Sequence, residues 1–173
     1  MAVIKPVPGP PSPDIVVRED YVGSCTHAIC YPGVSSCVTV TGVGAGLMVG
    51  AHLTMGTTAA ELDAFFVLLQ AQGAAACQEF FVAGAFGQFK AHVPAPDFKT
   101  RKKMRNRIVA ETTPAANVRF YDTTALGDIH IFAVINGAAA DFSYAVSAGN
   151  FIAGFAYPAF ATTPIPLGGF VLR

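Results

Sequence analysis

Residues 33–58 read GVSSCVTVTGVGAGLMVGAHLTMGTT. Two β-rich runs, CVTVTG and GLMVGAHL, are separated by the glycines at 42, 44 and 46, a pattern that predicts a β-hairpin. With its turn near residue 44, Cys37 at the start of one strand and His52 at the end of the other fall roughly opposite each other. Directly opposed residues carry Cβ atoms about 4.5–5.5 Å apart, within hydrogen-bonding reach for a thiol and an imidazole. Fifteen residues of separation along the chain thus become a contact across the pair.

Immediately downstream lies the best-signalled helix. Thr58-Ala-Ala-Glu61 is a capping box, Leu62, Phe65, Phe66 and Leu69 form an i, i+3, i+4, i+7 stripe, and Gly73 ends it. Upstream, DIVVR (14–18) predicts a short strand, followed by a loop rich in Gly, Ser and Cys. QEFFVAGAFGQF (78–89) predicts a buried strand running into a glycine loop, and HVPAPDFKT leads to a second helix around 98–110. NVRFYD and DIHIFAVING are two strands joined by a loop at 122–128, and an uncharged tail, 142–172, supplies the last short strands. The order β-β-α-β-α-β-β predicts an α+β fold, a mixed or antiparallel two-sheet sandwich flanked by two main helices.

The 173-residue chain is expected to be one domain over 14–173, with residues 1–13 a flexible leader carrying five prolines. Lys plus Arg equals Asp plus Glu at 11 each, so overall charge argues for neither nucleic acid nor an anionic membrane surface. A hydrophobic fraction of 53% with 13% charged residues excludes the disordered class except at the ends. Pro158, Pro164 and Pro166 interrupt the apolar tail, so no membrane span is expected, and the leader has no apolar run of secretory-signal length.

Cys25, Cys30, Cys37 and Cys77 are too scattered for a disulfide framework, leaving a Cys25–Cys30 bond open only outside the cytosol. Cys25, His27 and Cys30 lie close along the chain, but the rest of a zinc motif is missing, and no metal or other cofactor is expected. A lone strand cysteine is usually packed as a small hydrophobe; one beside a histidine can become a nucleophile. His27 and His92 read as loop residues, and His130, between Ile129 and Ile131, as a sheet residue. Lys99, Arg101, Lys102, Lys103, Arg105 and Arg107 crowd six cations into nine positions, either a solvated helix face or a docking patch for an acidic protein surface.

The composite run, Val34-Ser35-Ser36-Cys37, then Ala51-His52-Leu53-Thr54, then Gly56-Thr57-Thr58 and an amphipathic helix, resembles the Cys-His protein-glutamine deamidases. That superfamily includes the chemoreceptor deamidase CheD, the catalytic domain of the cytotoxic necrotizing factors and a stand-alone bacterial lethal factor. FFVLLQAQGAAACQEFFVAGAFG and RKKMRNRIVAETTPAANVRFYDTT resemble CheD, IHIFAVING is more like the necrotizing factors, and the likeness spans roughly residues 23–146. It implies a two-sheet sandwich flanked by helices, with Cys37 as nucleophile and His52 as general base and acid. Backbone N–H groups at Ser36 and Val38 would hold the oxyanion, Ser36 standing where the family motif has glycine.

A third group would orient the histidine. CheD and the lethal factor use a threonine six residues before the cysteine, where this chain has Tyr31; the necrotizing factors use a backbone carbonyl. The implied reaction converts a glutamine of a protein substrate to glutamate through a thioester, or transfers it to an amine as a transglutaminase would. The expected setting is a bacterial toxin or effector, made in the bacterial cytoplasm and acting after delivery, without a classical signal, in a host cytosol. A chemoreceptor deamidase and a catalytically silent binding module of the same fold are the rival readings.

Overall fold

The structure, a computed structural model, describes residues 3–9, 12–114, 116–146, 162–166 and 169–170. It is α+β, with two mixed sheets and three α-helices among the described residues. The strands are β1 (Lys5–Pro6), β2 (Asp14–Val16), β3 (Tyr21–Cys25), β4 (Ala28–Val34), β5 (Val38–Gly44), β6 (Leu47–Leu53), β7 (Glu79–Gly84), β8 (Asn117–Asp122), β9 (Ile129–Asn136), β10 (Ala139–Val146) and β11 (Thr163–Ile165). The helices are α1 (Ala59–Ala71), α2 (Phe86–His92) and α3 (Arg101–Glu111). One sheet runs β1-β3-β6-β5-β7-β8 and the other β11-β10-β9-β4-β2. No described helix is long and apolar enough to cross a membrane.

The molecule has three layers, because the six-stranded sheet buries both faces. Outward, Val38, Val40, Val49, Ala51, Leu53, Phe80 and Val82 pack against Leu62, Phe65, Phe66 and Leu69 of α1, Phe86 and Phe89 of α2, and Met104 and Ile108 of α3. Inward, Met48, Phe81 and Ala83 meet Ile29, Tyr31, Ile131, Ala133 and Phe142 of the second sheet. Each phenylalanine fully withdrawn from water contributes about 2–3 kcal/mol. Helix α1 begins where its capping box predicts: Thr58 Oγ1 accepts from the Glu61 N–H, and the Glu61 carboxylate accepts from the Thr58 N–H.

Four expectations need correction. The stretch read as a Gly/Ser/Cys loop after DIVVR holds β3 and β4, and β4 tolerates Pro32 and Gly33 because a bulge interrupts its pairing with β9 between Tyr31 and Val34. The leader is not wholly outside the domain: Ile4 is buried, and Lys5–Pro6 add a parallel edge strand beside β3, with Lys5 N–H donating to Asp20 O and Val7 N–H to Val22 O. Pro6, lacking an N–H, is tolerated at such an edge. The glycine loop GAFG turns directly into α2, a third helix. Finally, the hairpin turns at residues 45–46, so Thr39, not Cys37, lies opposite His52. A two-residue offset keeps side-chain parity, so Cys37 still falls on the face that His52 shares. Of the uncharged tail, residues 147–161, 167–168 and 171–172 lie outside the described residues.

Candidate active site

At one end of the sandwich the chain changes sheets twice. Residues 17–20 carry it from β2 to β3, and residues 35–37 from β4 to β5; the end of β6, with His52, lies between the two crossings. The first crossing is pinned on three sides: Val17 N–H donates to Cys30 O at 2.8 Å, Asp20 N–H to His52 O at 2.8 Å, and Lys5 N–H to Asp20 O at 2.9 Å. These bonds hold Asp20 at φ +64°, a left-handed conformation that costs a non-glycine residue about 1–2 kcal/mol. The clamp brings two groups to the site, the Val17 carbonyl and the Glu19 carboxylate.

His52 is fully buried, and its Nδ1 lies 3.3 Å from Val17 O. A carbonyl only accepts, so Nδ1 carries the proton and Nε2 of the neutral ring is the bare nitrogen. Nε2 is buried and has no hydrogen-bond partner among the described residues. The Cys37 thiol, buried at the entry to β5, donates to Glu19 Oε1 at 3.2 Å. The sulfur, a Glu19 carboxylate oxygen and a His52 ring nitrogen all lie within 4.8 Å of one another.

Burial first, and then the Glu19 charge and hydrogen bond, push the Cys37 thiol up to about 12, while the Ser36 hydroxyl and N–H pull the other way. Burial pushes the His52 imidazole down to about 4, against the Glu19 charge and the Val17 carbonyl, which favour protonation. At neutral pH the resting pair is therefore thiol and neutral imidazole, not thiolate and imidazolium. Moving the thiol proton to Nε2 requires the S–H to turn from Glu19 to His52; the imidazolium so formed sits beside the Glu19 carboxylate.

The second crossing is held by the strand before α2. Gly84 pairs with Val38, and Ala85 N–H donates to Cys37 O at 3.2 Å. A Cβ on Gly84 would stand 2.4 Å from Cys37 O, so only glycine admits this approach. GAFG is thus the floor under the Cys37 main chain.

Tyr31 does not orient the histidine through its hydroxyl. Its ring stands edge-on to His52 with centroids 6.2 Å apart, but the OH lies 2.7 Å from Thr41 Oγ1 and donates to Val40 O at 3.3 Å. The imidazole N–H goes to Val17 instead. Val38 points its side chain into the helix-side core, so any role at the site falls to its main chain.

The basic cluster divides. Arg107 pairs with Asp63 at 2.5 Å, Asp97 at 2.9 Å and Glu111 at 2.9 Å and covers the Phe66 ring, so it ties α3 to α1. Arg101 pairs with Asp122 at 3.3 Å over the Phe86 ring. Asp122 lies beside Gly84, itself opposite Val38, which puts Asp122 about two strand spacings, ~10 Å, from Val38, with the first turn of α3 beyond it at the far end of the Arg101 side chain. Lys99, Lys102 and Lys103 are exposed there and Arg105 is half-buried.

All four cysteines are free and buried. His27 pairs with Asp14 at 2.5 Å, and His92 Nδ1 lies 2.9 Å from Gln88 O. His130 Nδ1 accepts from Gly33 N–H at 3.1 Å, and burial lowers its pKa. Sequence reasoning missed Glu19 and the Val17 carbonyl. The only trace of them is the run Arg18-Glu19-Asp20, a charged patch between apolar strands. No protein-family model, curated protein or solved structure matches the chain.

Proposed function

We propose that this chain is a protein-glutamine deamidase working through a Cys37–His52 dyad, of the CheD and necrotizing-factor kind, more toxin or effector than chemotaxis enzyme. The observation that carries the reading is the state of His52: Nδ1 tied to a backbone carbonyl, Nε2 buried and unpaired, and the Cys37 sulfur within 4.8 Å of a ring nitrogen. Among the third groups known in that superfamily, Val17 O corresponds to the carbonyl used by the necrotizing factors, and Tyr31 is not needed for it.

In the reaction, the substrate glutamine enters and its carboxamide takes the place of Glu19 beside the thiol. The Cys37 proton passes to His52 Nε2 as sulfur attacks the amide carbon. The oxyanion is met by N–H groups beside Cys37, of which Ser36 already bears on the sulfur. His52 returns the proton to the departing ammonia and leaves a thioester, then draws a proton from water, whose oxygen attacks the acyl carbon to give glutamate and free thiol. An amine in place of water gives the transglutaminase product. Lys99, Lys102 and Lys103, at the rim, suit an acidic face on the protein substrate and act mainly on encounter rate.

The silent-module reading is favoured by one observation, the thiol held up at about 12 beneath Glu19. One experiment separates the two. Iodoacetamide labelling of Cys37, mapped by peptide mass with chelator present, is followed against pH in the native chain and in His52→Ala. A deamidase site labels at neutral pH markedly faster with His52 than without it. Labelling indifferent to His52 overturns the deamidase proposal and leaves a binding module.

A further inference from the structure

We infer that Glu19, Cys37 and His52 form a binding site for one Zn2+ ion, and that the ion, when bound, silences the thiol. The three side chains supply a carboxylate oxygen, a sulfur and an imidazole nitrogen, a mixed set suited to this borderline-soft cation. Glu19 Oε1 and Cys37 Sγ are 3.2 Å apart, close to the roughly 3.6 Å edge of a tetrahedron with Zn–S near 2.3 Å and Zn–O near 2.1 Å. The nitrogen, within 4.8 Å of both, needs to close by about 1 Å to complete the face.

A second, independent observation points to a ligand. His52 is fully buried, yet Nε2 has no partner among the described residues, and a buried bare acceptor is costly. A metal ion would satisfy it. The outer shell is already set: Nδ1 donates to Val17 O, the arrangement that fixes ring and tautomer in zinc-bound histidines. Glu19 is exposed while Cys37 and His52 are buried, which gives the ion a route in from solvent.

Charge also balances. Binding releases the thiol proton, so Zn2+, thiolate and carboxylate sum to zero where an unpaired charge would be expensive. Three protein ligands leave one position for water. Among the described residues no other three His, Cys, Asp or Glu side chains gather in this way, and the pair of thiols flanking His27 is not part of the cluster.

The consequence for activity rests on the deamidase reading; the binding does not. An ion that engages both the sulfur and Nε2 blocks the proton transfer between them, so the site is off with zinc and on without it.

The test uses the full chain after chelator treatment and dialysis. Zn2+ is titrated against a chromophoric chelator, and Co2+ is added separately to read thiolate-to-cobalt charge-transfer absorption in the near ultraviolet. The expected result is one ion per chain and a charge-transfer band that vanishes in Cys37→Ser but persists in Cys77→Ala. In Glu19→Gln, a change at an exposed position that leaves the fold intact, affinity should fall by more than the roughly 10–100-fold typical of losing an outer-shell support. No stoichiometric binding, a band that survives Cys37→Ser, or unchanged affinity in Glu19→Gln overturns the inference. The two proposals fail separately: one ion bound without His52-dependent labelling keeps the site and ends the deamidase reading, and the opposite pattern ends the zinc site alone.

Discussion

The two faces of the β5–β6 hairpin are built from alternating residues of the same strands, and they do different work. The outward face, Val38, Val40, Val49, Ala51 and Leu53, lies against helices and is apolar throughout. The inward face carries Thr39, Thr41, Gly50 and His52 in the gap between the sheets, just as deeply buried. Outward, stability comes from area removed from water and no atom needs a particular partner. Inward, each polar atom needs one: Thr39 Oγ1 donates to Ala83 O at 3.0 Å, Thr41 Oγ1 lies 2.7 Å from the Tyr31 hydroxyl, and His52 Nδ1 donates to Val17 O at 3.3 Å. Even Gly50 is fixed by this face, since a Cβ there would stand 2.4 Å from the Tyr31 oxygen. The contrast isolates His52 Nε2, the inward histidine nitrogen left without a partner. One face builds the domain; the other holds a reactive group in place.

Truncation on the outward side should have the largest effect on stability and none on the chemistry. Phe66 is 2% exposed and packs edge-on to Phe65 and Phe98, so Phe66→Ala should cost about 3–5 kcal/mol by urea unfolding. His52-dependent labelling of Cys37 in the protein still folded should not change. If it does, the two faces of the hairpin are energetically coupled.

On the inward side the signature is pH dependence. The His52 pKa falls from 6.5 to about 4 on folding, so above 6.5 the imidazole is neutral in both states and folding carries no protonation penalty there. As pH falls from about 6.5 to about 4 the unfolded chain takes up the proton first, and stability declines by about 3 kcal/mol at 1.36 kcal/mol per unit. Urea midpoints measured down that range should fall more steeply for the native chain than for His52→Gln. Equal slopes would mean that the imidazole is solvated. Smaller again is Tyr31→Phe, which strips Thr41 Oγ1 of its partner and should cost about 1–2 kcal/mol; adding Thr41→Val removes the orphaned hydroxyl and should recover most of that.

Legibility in the sequence followed the same division. Features set by local chemistry could be read: the Thr58 cap, the α1 stripe, the β8 boundaries and the hairpin itself. The fold class was readable too, because apolar alternation reports a sheet whatever its partner. The register was off by two because the turn uses Ala45 and Gly46, the latter at φ +71°, and three nearby glycines left its position open. β3 and β4 were illegible because Gly23, Pro32 and Gly33 read as loop, while pairing to distant β6 and β9 decides their state. At the site, Cys37 and His52 were legible as side-chain types. Val17 contributes a main-chain oxygen, which no residue type signals, and Glu19 arrives through a crossing between sheets 18 residues upstream of Cys37.

The smallest predicted effect tests whether the basic cluster also divides into a structural and a functional part. Arg107 is held on α3 by Asp63, Asp97 and Glu111 and lies 5.1 Å from the Phe66 ring centroid, so it belongs to the outward, helix-side architecture. Its removal leaves three carboxylates facing one another and uncovers an aromatic ring, and Arg107→Ala should cost about 1–2 kcal/mol in urea. Lys102 is exposed on the same helix, and a surface change of this kind stays within about 0.5 kcal/mol. Lys102→Ala should therefore be silent in unfolding, and if the rim does meet an acidic substrate face, it should slow association in a salt-dependent way without altering Cys37 labelling. Equal stability losses for the two variants would make the whole cluster structural and remove the docking argument. A silent Lys102→Ala that changes the salt dependence would assign two positions of one helix to the two jobs that the hairpin divides between its faces.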